Sequence, residues 1–500
     1  MDPASSARDF SELQKPLEQF RARTRRPRIH PLEIILLWIV ATHLLLLPWA
    51  LGGMRLWAQL PALALSALAL AVALIPRNYT EEFTGTGDFR LVMWPKLLRF
   101  PLFWLGLALL GYITLQAANP AWVYHTDGTG WSMRAIPHRS WLPAGVSAPF
   151  ARWGPWRLLL VYVPAWLTVC AIWIGFTRRR TLQWLMIAIA ANGVALAGFG
   201  VLQQMLSNGK MFWFWESPNP SFFATFIYKN HGGAYLNLAL TVTCALAAWY
   251  YLRGLRRLEK SNPAGLLVFF ATCIGIAILV SYARGATIMM LAFLTACILG
   301  FVGHLLWAPN ATRKPVIAVA LVLLSAFFVK TGTQALRPHL ALTRLAEGVT
   351  NQDYSLTMRQ SATSASLEML RDHWRTGAGA GSFQFLFPFY QQRYPELYAT
   401  NGTRHFWEHA HNDVVQFAIE LGAPGIALLL AGAAYLVLVL VRNYFWQNPL
   451  ASLVTLGLVL LLVYAWWDFP FQCPAVLLLW CSLAVIAPMW ARFEELHAKG

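Results

Sequence analysis

Hydrophobic residues in this chain collect into long runs, and polar residues collect between them. The runs begin near Pro31, Leu56, Phe100, Arg157, Trp184, His231, Gly265, Gly285, Pro315, Val414, Leu450 and Pro474. As helices they are long enough to cross a hydrocarbon layer of roughly 30 Å. The pattern predicts an all-α, polytopic integral membrane protein with about 12 transmembrane helices. It divides the chain into a basic tail (1–30), nine helices with outward loops (31–332), a long polar loop with short helices (333–412), three more spans (413–491) and a tail (492–500).

Composition agrees with that division: 57% of the 500 residues are hydrophobic and 12% are charged. The net charge of +17 invites a nucleic-acid partner, but the cations fall in clusters between the apolar runs. If the spans alternate, Arg21 to Arg28, Arg77 to Arg99, Arg178 to Arg180, Arg253 to Lys260, Arg313-Lys314 and Arg442 share one side, which the positive-inside rule makes the cytoplasm. The charge then sets topology, and no nucleic acid is implied. The six cysteines lie in or beside apolar runs without metal spacing, so neither a disulfide framework nor a thiolate metal site follows. No short apolar core with a cleavage site precedes the first run, which is expected to stay in the membrane.

The other side holds the segments that can carry chemistry. Asn119 to Trp156 is rich in Trp, Pro and Gly, and Ser207 to Lys229 contains Met211-Phe-Trp-Phe-Trp215, which fits a sugar platform, a polyprenyl groove or an interface belt. The segment from Thr333 to Asn412 is too long for a plain connection. Within it, Arg359 to Arg375 has helical spacing, and Thr376-Gly-Ala-Gly-Ala-Gly381 then breaks the pattern.

Next comes His405-Phe-Trp-Glu-His-Ala-His-Asn-Asp413, which opens a helix. Asn412 or Asp413 suits its N-cap, while Asn412, Gln416 and Glu420 make a polar stripe. Gly422 and Gly425 are expected to bend that helix. A helix start beside imidazoles suits an anion and favours a neutral imidazole. The spacing of His405, His409 and His411 is not that of a helical metal pair, so no metal is expected. Outward cations beside spans, Arg284 and Lys229, run against the orientation bias and suit phosphate, as does Arg359, although snorkelling and solvated charge explain such residues too. Asp468 either orients a cation or caps a turn before Pro470.

These residues resemble a known family. His411-Asn412, nine residues, then Gly422-Ala-Pro-Gly425 is similar to the signature of the O-antigen ligase and polymerase superfamily of bacterial envelope glycosyltransferases. Lys229-Asn230-His231, Ser281-Tyr-Ala-Arg-Gly285, Arg359 with Gly377 to Phe383, and Trp467-Asp-Phe-Pro470 accompany it in order, so the resemblance spans roughly residues 190 to 485. Two departures are Ile426, where ligases often have Thr, and Lys229, where many relatives have Arg. The resemblance implies a cofactor-free, metal-independent transfer of glycan from an undecaprenyl-diphosphate carrier to an acceptor hydroxyl such as lipid A core. It places this at the periplasmic face of the bacterial inner membrane, among membrane lipids. It implies His411 and Arg284 as catalytic, with Arg284, Arg359 and Lys229 on the diphosphate. His409, Asn412, Glu420, Gly422, Gly425, Asp468, Asn230 and His231 are its supporting residues. A polysaccharide polymerase, a protein O-glycosyltransferase and a polyprenyl-glycan transporter are the rival readings.

Overall fold

The computed structural model describes residues 29–79, 89–128, 130–257, 261–307, 354–398 and 405–499. Helices α1 (Pro31–Trp49) and α2 (Leu56–Leu74) lead to the antiparallel pair β1 (Arg77–Tyr79) and β2 (Phe89–Leu91), then α3 (Trp94–Leu98) and α4 (Pro101–Ala118). Strands β3 (Pro120–Thr126), β4 (Trp131–Ala135) and β5 (Gly145–Ser147) precede α5 (Pro155–Gly175), α6 (Arg179–Met205) and α7 (Lys229–Arg257). Then come α8 (Ala264–Val280), α9 (Arg284–Trp307), α10 (Tyr354–His373) and α11 (Phe383–Gln391). Last are α12 (Asp413–Arg442), α13 (Pro449–Tyr464) and α14 (Pro474–Lys499).

Among the described residues, nine helices are long and apolar enough to cross a membrane, and α8 and α13 are shorter apolar helices. Together they account for eleven of the twelve apolar runs. The run from Pro315 lies outside the described residues. Proline opens α1, α4, α5, α13 and α14, where its missing N–H costs nothing and its fixed φ suits a first turn. Helix α7 is the axis of the bundle, packed by α6, α8, α9, α13 and α14, with Tyr235 and Leu246 fully enclosed. Helix α12 is the reverse case, with Leu430, Val437 and Leu438 exposed, as expected for a helix whose outer solvent is lipid.

A smaller second layer covers one end of the bundle. Its sheet has strand order β4-β3-β5, with Trp122 opposite Ala135 and Thr126 opposite Trp131. Trp122, Tyr124, Trp131 and Met133 pack on Phe383, Phe385 and Phe387 of α11, Met369 of α10, and Val415 and Ile419 of α12. Burying each of those phenylalanines contributes about 1.5–3 kcal/mol. The strands are an addition to the all-helical expectation, and their signal is in the sequence: alternating Trp122/Tyr124 and Trp131/Met133 flank the Asp127-Gly128 turn.

Candidate active site

The second layer meets the bundle at the start of α12. Asn412 is the N-cap, its side chain accepting from the Val415 N–H at 3.0 Å. His411 just before it has φ of 53°, so the chain enters the helix through a left-handed turn. The Gln416 carbonyl accepts from the Ala410 N–H at 3.0 Å, which fixes its amide nitrogen as the donor to His409 Nδ1 at 3.3 Å. His409 therefore carries its proton on Nε2. That atom and Nδ1 of His411, both buried, have no hydrogen-bond partner, and neither does the buried Trp407 indole N–H. Burial lowers the His409 and His411 imidazoles to about 3, with Gln416 and Asp468 opposing at His409 and Arg359 adding to the effect at His411. Both rings are neutral at physiological pH.

Phe469 is the hub of this cluster. His411 meets its ring edge-on at 4.6 Å, His231 edge-on at 5.0 Å, His409 stacks on it at 4.8 Å and Tyr228 at 5.1 Å. Its backbone is held from both sides: His231 Nε2 donates to the Phe469 carbonyl at 3.1 Å, and the Phe469 N–H donates to Asp468 at 2.9 Å. The other Asp468 oxygen accepts from the Tyr464 hydroxyl at 2.7 Å and from the Asn230 amide. That amide also donates to the Tyr228 hydroxyl at 2.8 Å, to which Arg359 Nη2 donates at 3.4 Å. Burial pulls the Arg359 guanidinium down, but Tyr228, Asp468 and Tyr464 hold it above its ordinary value, so it stays charged. Burial and Asp468 raise the Tyr228 hydroxyl, so it stays protonated.

The structure thus gathers His409, His411, Asn412, Asn230, His231, Asp468 and Arg359 at one end of the bundle. Arg284 heads α9 beside them: a Cβ on neighbouring Gly285 would lie 2.3 Å from the Tyr464 ring. Lys229 heads α7, its N–H donating to the Ser221 carbonyl at 2.9 Å. His405 is exposed. Glu420 lies deeper and serves the second layer, accepting from the Gly381 N–H at 2.8 Å and the Gln416 amide at 3.1 Å. Gly422 breaks α12 at φ of 62° and ψ of −172°. There it meets Gly377 backbone to backbone, leaving 2.4 Å between an added Cβ and the Gly377 nitrogen. Gly425 corrects the expectation of a shared bend. It sits in the regular turn after the break, and its hydrogen leaves room for Leu421, whose Cβ would stand 2.5 Å from an added Cβ.

Sequence reasoning passed over Tyr228, Tyr464 and Phe469, although each adjoins or lies near a residue that it singled out. Tyr228 precedes Lys229-Asn230-His231 and Phe469 follows Asp468. A cationic, neutral-imidazole pocket at one end of a membrane bundle fits chemistry on an anionic group.

This is a multi-pass membrane protein whose polar site sits at the mouth of its helix bundle. Residues 267–430 match the family model Wzy_C, described as O-antigen ligase, and the match supports the O-antigen ligase superfamily for this chain. Arg284, Arg359 and His411 lie within the matched segment, while Lys229 and Asp468 lie outside it. No curated protein matches the chain.

Proposed function

We propose that this protein is an O-antigen ligase-like glycosyltransferase that moves a glycan from an undecaprenyl-diphosphate carrier to an acceptor hydroxyl, such as one on lipid A core, at the periplasmic face of the inner membrane. The observation that carries this reading is the neutral His411 imidazole, with its unpartnered Nδ1, beside the charged Arg359. The acceptor oxygen forms the new bond to the anomeric carbon as the bond to the diphosphate breaks. His411 takes the acceptor's proton or holds the diphosphate, and Arg359, Arg284 and Lys229 balance the charge that develops on the leaving group. A placed base contributes ~10²- to 10⁴-fold, and cations aimed at developing charge contribute on a similar scale.

The test compares envelope glycans of a deletion strain and its complemented parent. A long polymer stranded on the lipid carrier is the expected result. A single repeat still reaching the acceptor would identify a polymerase instead, and unchanged pools would turn attention to a protein acceptor or a transporter.

A further inference from the structure

The segment that carries His409 and His411 also carries Glu408, whose surroundings are different. At the first turn of α5, the buried Arg157 donates from Nη2 to the Met54 carbonyl at 3.1 Å and from Nη1 to the Ala151 carbonyl. Its guanidinium lies 4.2 Å over the Trp153 ring. Met54 and Ala151 immediately precede Arg55 and Arg152. Arg157 therefore staples two distant backbones together and sets an exposed arginine on either side of itself. Those two are themselves ordered on aromatic faces, Arg55 over Trp215 at 5.9 Å and Arg152 over Tyr124 at 5.0 Å. Glu408 keeps an exposed edge, yet the surrounding protein desolvates its carboxyl and raises it, with Arg157, the Trp153 side chain, Arg55 and Arg152 pulling the other way.

Three guanidinium groups, two of them flanking the backbones that Arg157 holds, thus lie within electrostatic reach of one carboxylate, three residues before His411 in the chain. We infer that Arg55, Arg152, Arg157 and Glu408, with Trp153 and Trp215, form an acceptor subsite for an anionic saccharide, one carrying phosphate or carboxylate groups. Arginine forks match those groups in two-point geometry. Side chains already stacked on aromatic rings lose little further freedom on binding. The excess positive charge takes the anionic groups, Glu408 accepts from sugar hydroxyls, the half-buried Trp215 indole offers apolar surface to a pyranose ring, and the buried Trp153 backs Arg157. A two-substrate transfer needs such a place: Arg359 lies at Tyr228, while this second cationic site borders the same histidine segment through Glu408. The inference rests on the transferase reading for the word acceptor, but the subsite is open to a test that needs no turnover.

That test measures binding of a phosphorylated core-type oligosaccharide, and of its phosphatase-treated form, to the full chain in nanodiscs of neutral lipid. The Arg55→Gln/Arg152→Gln double variant alters only exposed side chains, and an unchanged melting midpoint would verify its fold. The wild type should bind the phosphorylated form at least about tenfold more tightly than the treated form, a preference the variant should lose. Equal binding by wild type and variant, or no preference for phosphate in the wild type, would overturn the subsite. So would a variant that loses adhesion to vesicles containing anionic phospholipid while binding the oligosaccharide unchanged, because the arginines would then serve lipid headgroups. Phosphate-dependent binding without any glycan transfer would leave the subsite standing and remove the transferase reading.

Discussion

Two ends of this bundle enclose polar groups, and they treat them in opposite ways. At the end where α1 begins and α5 finishes, Glu33 is fully enclosed and saturated. It accepts from the Thr177 N–H and hydroxyl at 3.1 and 2.6 Å, the Arg178 N–H at 3.2 Å, the Thr181 hydroxyl at 2.5 Å and Arg77 at 3.2 Å. The two remaining Arg77 nitrogens have no partner, but Arg77 is 0% exposed and one of them faces the small space left by Gly175. At the other end, Nδ1 of His411, Nε2 of His409 and the Trp407 indole lack partners in a cluster that His411 leaves partly open. A saturated buried ion fastens elements together, whereas unpaired groups behind an opening leave hydrogen-bonding capacity that the proposed donor would use.

Substitution should separate the two ends most sharply. His411→Ala should reduce transfer by ~10²-fold or more while expression and membrane insertion hold, if the lost group is the base or diphosphate partner proposed above. Arg284→Ala should do the same, and in vitro transfer from a lipid-linked donor reads both; wild-type rates in either would break the assignment. Glu33→Ala should act the other way, costing about 3–5 kcal/mol by stranding the Arg77 charge. It should lower the yield of folded protein in detergent, with near-normal turnover per folded molecule.

Subtler changes sharpen the contrast. Tyr228→Phe removes the oxygen that receives both Asn230 and Arg359, and should lower turnover about tenfold with little change in the melting midpoint. Acid should act through the histidines. Their folded values of about 3 lie below the ordinary 6.5, so between those limits the unfolded chain binds protons that the folded chain does not. Stability from this source is complete above about pH 6.5 and declines as pH falls toward 3, by roughly 2 kcal/mol per histidine at pH 5. Melting in detergent at pH 5 and 7.5 should show the loss, and His409→Gln should shrink it. Turnover should show no histidine inflection between pH 5 and 8.

The helices were legible because a span needs only length and apolarity, and eleven runs declare themselves that way. Asn412 was legible as a cap because capping is local, and its side chain bonds three residues ahead. Phe469 and Tyr464 were not, since what matters is their meeting with residues distant in the chain, His231 for Phe469 and Gly285 for Tyr464, and an aromatic near a span looks like any belt residue. The sheet was missed for a nearer reason: its alternating aromatics lie in a Pro- and Gly-rich stretch that reads as loop. Gly422 and Gly425 show the same limit in miniature. Both looked like bend residues, but only the one opposed by another backbone takes a left-handed φ.

That break also measures depth. After Gly422, residues 423–442 continue α12 for about 30 Å at ~1.5 Å per residue, the thickness of a hydrocarbon slab. The stretch before it, Asp413–Leu421, adds about 13 Å beyond that slab. By length alone, His411 therefore falls outside the hydrocarbon slab rather than among the lipid tails. A donor of the proposed kind would bring its diphosphate to the imidazole while its hydrocarbon anchor never leaves the bilayer, so the carrier would be worked on in place, without being lifted out.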